Sequence, residues 1–242
     1  MVLNPQNDPM GAAIRDYFEN RTCQKLVVSS SLFEDDEMPV PHLFRTFPEM
    51  NELERTALLL CRGRVLDVGG GAGCHSIVLQ EREGLEVTAI DVSPLSVETM
   101  RRRGVTCAEM ADFFDFVPSC RFDVVLMLMN GMGIVGKLCR LPDLFLRLDE
   151  LLSPDGMLLV DSSDLRYVFE DEDGAFDPSE FEGYYGEVDF TMHYGNISGR
   201  RFDWLYVDFM TLSQYASAAG FKAEKIREGA HYDYLAKISR SV

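Results

Sequence analysis

The sequence has few positive charges for its number of negative ones, and this imbalance limits the classes of partner. Its 242 residues include 23 lysines and arginines but 40 aspartates and glutamates, which gives a formal net charge of −17. Because proteins that hold nucleic acids neutralise phosphates with cations, the deficit argues against a nucleic-acid partner and favours small or cationic ones. The acidic residues are concentrated in two runs, 33–37 and 169–183, which we expect to form solvated loops.

The chain also lacks paired cysteines and long apolar runs. Its six cysteines stand singly within apolar segments, without the C-x-x-C spacing of zinc sites or the dense pattern of disulfide frameworks. No apolar run approaches the roughly 20 residues that span a bilayer, and no basic, then apolar, then small-residue pattern opens the sequence. We therefore expect a cytoplasmic protein without a membrane segment, a disulfide or a metal site.

What the sequence does contain is a regular alternation of short apolar runs with amphipathic segments, which is typical of a parallel sheet with crossover helices. The run 122–129 is apolar almost throughout, as in a central strand buried on both faces. Alternating apolar residues on either side of a Gly-Asn-Ile-Ser-Gly turn predict a hairpin. The predicted strands are 64–68, 85–91, 105–110, 122–129, 157–161, 188–194, 202–206, 221–228 and 232–239, and the predicted helices are 48–60, 74–82, 94–103, 144–152 and 209–219.

These elements predict one α/β domain of the doubly wound type. The last two strands are close enough in sequence to pair antiparallel at the edge of the sheet. No repeat or low-complexity linker separates the first 60 residues from the rest, so we interpret them as a cover rather than an independent domain. The predicted organisation is an N-terminal helical lid over 1–47, a core over 48–165, an insertion with the hairpin over 166–207, and a helix and antiparallel strands completing the core over 208–242.

Four glycines occupy five positions directly after the first predicted strand. A glycine-rich turn between a strand and a helix lets a ligand approach the main chain closely. The dinucleotide fingerprint G-x-G-x-x-G is not met, because its third position falls on Cys74 when it starts from Gly69 and Gly71. A nicotinamide-dependent reductase is therefore disfavoured. The pattern that is present places an aspartate before glycines at alternate positions, as Asp67-x-Gly69-x-Gly71-x-Gly73.

With Asp91 at the end of the second predicted strand, about 20 residues past the glycines, the sequence resembles the class I S-adenosylmethionine-dependent methyltransferases. The resemblance covers roughly residues 48–165 and the C-terminal antiparallel pair. It implies a mostly parallel seven-stranded sheet with an antiparallel C-terminal edge, and methyl transfer from S-adenosylmethionine. The segments 1–47 and 165–207 match no part of the family pattern.

The resemblance also implies which residues hold the cofactor. The glycine loop bends under its amino acid and ribose parts, Asp91 accepts hydrogen bonds from the ribose hydroxyls, and Asn130 lies beside the reactive sulfonium. A carboxylate suits the ribose on chemical grounds as well, because it can accept from two vicinal hydroxyls at once. The cofactor's carboxylate needs a cation, for which Arg45 is the candidate; the alternative for Arg45 is a surface salt bridge to the first acidic run. The predicted cofactor-binding residues are Asp67, Gly69, Gly70, Gly71, Gly73, Asp91, Val92, Asp112, Phe113, Asn130 and Arg45, with Val92 against the adenine face and Asp112 and Phe113 at the adenine edge.

The acceptor leaves a weaker signal in the sequence. The run 128–136 lacks the Asn/Asp-Pro-Pro-aromatic motif with which the family holds planar amino groups, which disfavours adenine, cytosine and glutamine side chains. We expect a small-molecule acceptor in an aromatic chamber formed by the lid and the hairpin, with Tyr17, His42 and Tyr194 as substrate-binding residues. An ordinary hydrophobic core is the alternative for these aromatic residues. No general base is assigned.

Two other functions remain open at this point. One is a methyltransferase that acts on a protein or an RNA, although the acidity of the chain disfavours RNA. The other is a non-catalytic subunit in which bound S-adenosylmethionine only stabilises an interaction surface. The sequence indicates neither the atom that is methylated nor whether the chain acts as a monomer or a homodimer.

Overall fold

The computed structural model of the chain describes residues 2–171, 173, 175–177 and 181–241. Positions 172, 174 and 178–180 of the second acidic run therefore lie outside the described residues. The α-helices are α1 Pro9–Asn20, α2 Glu52–Leu60, α3 Cys74–Gln80, α4 Pro94–Arg102, α5 Leu141–Leu151, α6 Arg166–Phe169 and α7 Phe209–Ala218. The strands are β1 Leu26–Ser29, β2 Asp36–Met38, β3 Arg64–Val68, β4 Glu86–Asp91, β5 Ala108–Met110, β6 Phe122–Met127, β7 Leu152–Ser163, β8 Glu187–Tyr194, β9 Ile197–Ser198, β10 Phe202–Leu205, β11 Phe221–Glu228 and β12 Asp233–Arg240.

The main sheet has seven strands in the order β11-β12-β7-β6-β3-β4-β5. Strands β3 to β7 run parallel, whereas β12 pairs antiparallel with β7, and β11 with β12. The central strand β6 is buried on both faces except at Asp123, as its almost continuous apolar run predicts. The doubly wound, mostly parallel sheet with an antiparallel C-terminal edge is therefore confirmed.

The helices cover both faces of this sheet, and local chemistry sets where they begin and end. Helices α5 and α7 pack on one face and α2 and α3 on the other. Helix α4 begins where the Ser93 hydroxyl accepts a hydrogen bond of 2.9 Å from the Ser96 N–H, and Gly104 follows the helix with a φ of +98°. None of the helices in the described part of the chain is long and apolar enough to cross a membrane.

Helix α2 differs from the prediction at its start. Pro48 lies in a short 3-10 turn, Phe47–Glu49, and the α-helix begins only at Glu52. Asn51 sets this start because its side chain accepts a hydrogen bond of 2.9 Å from the Glu54 N–H. A proline at the beginning of a turn and an asparagine cap three residues later are both helix-start signals, and the cap determines the boundary here.

A second, five-stranded sheet contains strands from both the lid and the insertion, two segments that the sequence predicts separately. Its order is β10-β8-β1-β2, with β9 also paired to β8. The predicted hairpin is present as β8 and β10. The N-terminal helix of the predicted lid is present as α1, but β1 and β2 follow it, and part of the first acidic run forms β2 rather than the expected loop. Strand β1 lies antiparallel to β8, pairing Leu26 with Tyr194.

Two contacts place this second sheet over the carboxyl ends of the parallel strands. An added Cβ at Gly133, in the turn that follows β6, would overlap the indole of Trp204 on β10. On the other side, α1 packs against α4, and the Ser93 hydroxyl donates a hydrogen bond of 2.5 Å to Asp8. The edge of the main sheet where open α/β proteins bind ligands is therefore covered by residues from both ends of the chain.

Candidate functional site

A cavity of about 1550 Å³ lies between the carboxyl ends of the parallel strands and the second sheet. The loops after β3, β4, β5 and β6 form one side of it, and β1, β2, β8 and β10 form the other. Eight of the predicted site residues border this cavity, although they come from four separate loops. They are Gly69, Gly70, Gly71, Asp91, Val92, Asp112, Phe113 and Asn130.

The glycine loop has two kinds of glycine. Gly71 has a φ of +55°, and an added Cβ would have no neighbour closer than 3.9 Å, so a side chain there would project into open space. Gly73 has a φ of +82°, but its added Cβ would lie 2.9 Å from the Val105 side chain and 3.1 Å from that of Met100. Gly71 therefore keeps the cavity open, whereas Gly73 permits α3 to pack closely against the core.

Asp67 lies behind the loop rather than at the cavity surface. Its carboxylate is buried and accepts a hydrogen bond of 2.5 Å from the Ser76 hydroxyl on α3. The structure thus gives Asp67 and Gly73 a role in shaping the loop, because neither borders the cavity.

Asp91 ends β4 with its carboxylate held by two backbone donors. One oxygen accepts from the Gly71 N–H and the other from the Ser93 N–H, both at 2.8 Å. Burial raises the pKa of Asp91 to about 6, although these two hydrogen bonds act in the opposite direction. Each carboxylate oxygen has a second lone pair, so the group can also accept hydrogen bonds from a ligand in the cavity.

The loop after β5 forms the neighbouring wall. The Asp112 carboxylate accepts a hydrogen bond of 2.9 Å from the Phe114 N–H, which turns the chain at this point. Phe113 is buried, and the Arg140 guanidinium lies 4.3 Å from the centre of the Phe114 ring. A flat aromatic ligand at this end would meet backbone and carboxylate groups along one edge.

The turn after β6 has an unusual backbone. Met129 and Asn130 have φ values of +68° and +53°, a conformation that non-glycine residues adopt at a cost. The buried Asp161 carboxylate on β7 accepts a hydrogen bond of 3.0 Å from the Gly131 N–H, and the Ser163 hydroxyl donates one of 2.8 Å to the Asn130 side-chain oxygen. These two contacts from β7 hold the carboxamide of Asn130 at the cavity surface.

Sequence reasoning missed Asp161 and Ser163. Burial raises the pKa of Asp161, while the backbone N–H groups of the turn lower it. The sequence signal that could have identified them is the polar triplet 161–163, which directly follows the apolar run of the fifth predicted strand.

The second sheet supplies the other half of the cavity surface, which is aromatic with charged groups at its rim. Trp204 on β10 covers the turn after β6, and the rings of Phe190 and Tyr206 meet edge to face. The carboxylates of residues 34–37 border the same space, with Glu37 paired to Lys25 at 2.7 Å. Further bordering residues from this side are Val28, Phe33, Met192, Arg200, Arg201, Phe202 and Asp203.

The three predicted substrate-binding residues do not border the cavity, so those predictions need correction. Tyr17 packs against Phe44, with ring centres 4.8 Å apart, in the small core between α1 and the second sheet. The buried Tyr194 hydroxyl donates a hydrogen bond of 2.9 Å to Asp16. His42 is exposed at the outer surface. The aromatic residues of α1 thus stabilise the lid, while the aromatic residues Phe190, Phe202 and Trp204 of the hairpin border the ligand space.

Arg45 also lies elsewhere than predicted. It is buried away from the cavity surface, where its guanidinium contacts the Glu54 carboxylate through Nε at 3.2 Å and through Nη2, and donates to the His42 carbonyl. It is not paired with the first acidic run either. Because Glu54 lies on α2 and is itself buried, this ion pair fastens the lid to the core.

No group of three or more histidine, cysteine, aspartate or glutamate side chains suited to a metal ion occurs within the described ranges.

Three comparisons bear on the identity of this site. The family description "Methyltransferase domain" matches residues 65–156. None of the curated proteins matches the chain. Among solved structures, the chain is 54% identical to a SAM-dependent methyltransferase from Bacteroides fragilis in complex with S-adenosyl-L-homocysteine, with a TM-score of 0.94, and the match covers 100% of this chain and 98% of that one.

More distant structures share the fold. The sugar N-methyltransferase KedS8 from a Streptoalloteichus species is 20% identical with a TM-score of 0.55, and the match covers 88% of this chain and 97% of that one. The amino pentose methyltransferase CalS10 from Micromonospora echinaspora, with SAM bound, is 16% identical with a TM-score of 0.55, covering 86% of this chain and 100% of that one.

Proposed function

The chain belongs to the S-adenosylmethionine-dependent methyltransferases, and we propose that it transfers the methyl group to a small molecule held beneath the second sheet. The observation that carries this proposal is the single cavity that runs from the glycine loop to the aromatic surface of the second sheet. Typical ligand pockets measure roughly 300–1,000 Å³, so a cavity of about 1550 Å³ can take an acceptor beside the cofactor.

The residues at the sheet edge fit the cofactor. Gly71 leaves open space where any side chain would enter the cavity, and Asp91 presents a carboxylate with lone pairs to spare at the end of β4. The Bacteroides fragilis relative was crystallised with the demethylated cofactor, and its fold is the same over the whole chain.

Each loop has a part in holding the cofactor. Asp91 accepts hydrogen bonds from the ribose hydroxyls, and Val92 packs against the adenine face. The Asp112 carboxylate and the Phe113 main chain meet the adenine edge. The glycine loop lies under the amino acid and ribose parts, and Asn130 borders the reacting centre.

When bound, S-adenosylmethionine supplies a methyl group on a positively charged sulfur. The chain's contribution is to align the acceptor with that group and to exclude water, and positioning of this kind can account for roughly 7–11 kcal/mol of a barrier. Asp161 and Ser163 help to align the acceptor with the methyl group, because they fix the strained turn that carries Asn130. The second sheet excludes water from the cavity, because its aromatic side chains cover the edge of the main sheet.

A small acceptor fits this arrangement better than a macromolecular one. The surface that faces the glycine loop is formed by four strands of the second sheet, so the acceptor has to enter beneath a cover rather than dock on an open face. The aromatic side chains of Trp204, Phe190 and Tyr206 suit an acceptor with apolar faces.

The test is a turnover screen. Cell extract is separated by size, each fraction is incubated with the protein and S-adenosylmethionine labelled in its methyl group, and S-adenosylhomocysteine and transferred label are measured. We expect label in the small-molecule fraction, lost with Trp204→Ala while S-adenosylhomocysteine still binds within about threefold. Label that appears only in the protein or RNA fraction contradicts a small acceptor. Cofactor binding without turnover in any fraction favours the non-catalytic subunit.

A further inference from the structure

His75 is a nearly buried histidine that still reaches the cavity. It lies in the first turn of α3, directly after the glycine loop, and its exposed fraction is 6%. Leu128 and Asn130, which follow the neighbouring strand β6, border the same cavity. Asp91 and Asp112 follow β4 and β5, on the other side of β3 in the sheet. His75 and the proposed adenosine-binding residues therefore lie toward opposite ends of the cavity.

Three ionisable side chains form a continuous contact behind this surface. The His75 Nε2 atom lies 2.7 Å from the Glu54 Oε1 atom and 3.5 Å from the Arg45 Nη2 atom. Arg45 contacts both oxygens of Glu54. The exposed fractions of Arg45 and Glu54 are 6% and 1%, so water does little to screen these charges.

Within this cluster the guanidinium of Arg45 balances the carboxylate of Glu54, and His75 is the member that reaches the cavity surface. An anion placed against the exposed edge of a protonated His75 would gain a charge-assisted hydrogen bond. The methionine part of S-adenosylmethionine carries such an anion, its α-carboxylate.

We infer that His75, as an imidazolium, binds the α-carboxylate of the cofactor. Glu54 is the positioning residue that orients the ring through Nε2, and Arg45 neutralises Glu54 so that it does not repel the ligand. This inference rests on the proposed function. It assigns to His75 the contact that the sequence predicts for Arg45. Arg45 then acts on the ligand only indirectly, through Glu54 and His75.

The other cations that border the cavity lie in different places. Arg140 stacks on Phe114 beside the proposed adenine edge. Arg200 and Arg201 precede β10 in the second sheet, and Arg201 lies 3.0 Å from Asp189. His231 borders the cavity just before β12, and Arg103 donates to the Ala72 carbonyl of the glycine loop without bordering the cavity. Within the described part of the cavity surface, His75 is thus the group next to the glycine loop that can carry a positive charge.

The surroundings favour the protonated ring. Burial, the strongest influence, lowers the pKa of His75, and Arg45 lowers it further, but the neighbouring Cys74 and Asp67 raise it above its ordinary value. The Glu54 carboxylate at 2.7 Å acts in the same direction as Cys74 and Asp67. His42 from the N-terminal segment and Asp161 from β7 also act electrostatically on this cluster. The positive charge is therefore present below the ordinary pKa of histidine and is lost as the pH rises through the raised pKa of His75.

The experiment compares two ligands that differ only in the carboxylate, S-adenosylmethionine and decarboxylated S-adenosylmethionine, by calorimetry. The variants are His75→Gln, which keeps polarity but not charge, and His193→Gln as a matched control on β8, outside the cavity. With His75→Gln we expect about 10- to 100-fold weaker binding of S-adenosylmethionine and binding of the decarboxylated ligand within about threefold of the parent. With His193→Gln neither affinity should change.

The pH dependence supplies a second measurement. In the wild type the preference for S-adenosylmethionine over the decarboxylated ligand should fall as the pH rises through the raised pKa of His75, and this part of the pH dependence should be absent in His75→Gln, where only the ligands titrate. The same pH dependence of the preference in the wild type and in His75→Gln, or equal loss of both ligands with His75→Gln, overturns the inference and leaves the proposed function intact. If the wild type binds neither ligand, the proposed function itself is wrong, and the inference falls with it.

Discussion

The Asp91 carboxylate accepts a hydrogen bond of 2.8 Å from the backbone N–H of Gly71. This contact ties the end of β4 to the glycine loop that follows β3, so the group proposed to hold the ribose also helps to shape the loop beneath it. The second oxygen of Asp91 accepts from the Ser93 N–H at the start of α4. A change at Asp91 is therefore expected to act on ligand contacts and on loop geometry together.

Asp91→Ala should weaken binding of S-adenosylhomocysteine by roughly 30- to 1000-fold, because two hydrogen bonds to a charged acceptor are lost. Calorimetry measures the loss, and circular dichroism checks that the chain is folded. Asp155→Ala is the matched control, since Asp155 is an exposed carboxylate outside the cavity. Binding of the Asp91 variant within about threefold of the parent would show that the ribose lies elsewhere.

Cofactor binding should weaken in acid. Burial raises the pKa of Asp91 to about 6, so the carboxylate is ionised at pH 7.5 and protonated at pH 5, where it can no longer accept from both hydroxyls. We expect the affinity for 5′-methylthioadenosine, which keeps the ribose but lacks the amino acid part, to fall about tenfold between these values. An affinity that stays constant over this range, or that rises in acid, contradicts the role of Asp91.

Two alanine substitutions in the glycine loop should distinguish a glycine that leaves space for the ligand from one that permits close packing of the core. Both positions have a positive φ, which costs an alanine about 1–2 kcal/mol. Gly71→Ala adds a methyl group to open space, so it should abolish S-adenosylhomocysteine binding with a moderate fall in Tm. Gly73→Ala also meets Val105 and Met100, so its fall in Tm should be larger. Thermal unfolding and calorimetry on both variants are the measurements, and the opposite order of Tm values would refute this assignment.

The lid and the insertion should respond to the cofactor as one unit, because β1 pairs with β8. We expect S-adenosylhomocysteine to slow hydrogen exchange in the amides of 10–47 and 187–194 together with those of the loop at 67–75. Exchange measured on the exposed strand β11 serves as the internal control. Protection confined to the glycine loop would mean that the second sheet does not close over the bound cofactor.

The main sheet could be predicted because each of its strands carries its own local signal. The run that forms β6 is apolar except for Asp123, and caps such as Ser93 and Gly104 mark helix boundaries within a few residues. The eight cavity residues named from the sequence could be found from this regularity, since each lies at the end of a predicted strand or just after it. The local sequence pattern is sufficient to predict a strand when its partner is another strand of the parallel sheet with its crossover helices.

The second sheet and the charged cluster could not be predicted in this way. Strand β1 has only four residues, and its partner β8 lies beyond the entire parallel part of the core. Arg45 was assigned to a ligand because nothing in the sequence indicates that Glu54, nine positions away in a capping motif, turns its carboxylate toward it. Tyr17 and Tyr194 are residue types that are common in binding sites. In the structure, however, they pack within the small core between α1 and the second sheet.

The pairing of β1 with β8 also has a consequence for how the chain folds. A contact between segments so distant in sequence has a high loop-closure entropy, so it forms after the local units around it. During synthesis β1 and its neighbour β2 emerge long before β8 exists, and the other edge of β1 has no partner until the hairpin leaves the ribosome. The wall proposed to cover the acceptor is therefore among the last parts of the molecule to assemble, and a chain that is interrupted before β8 has no such wall.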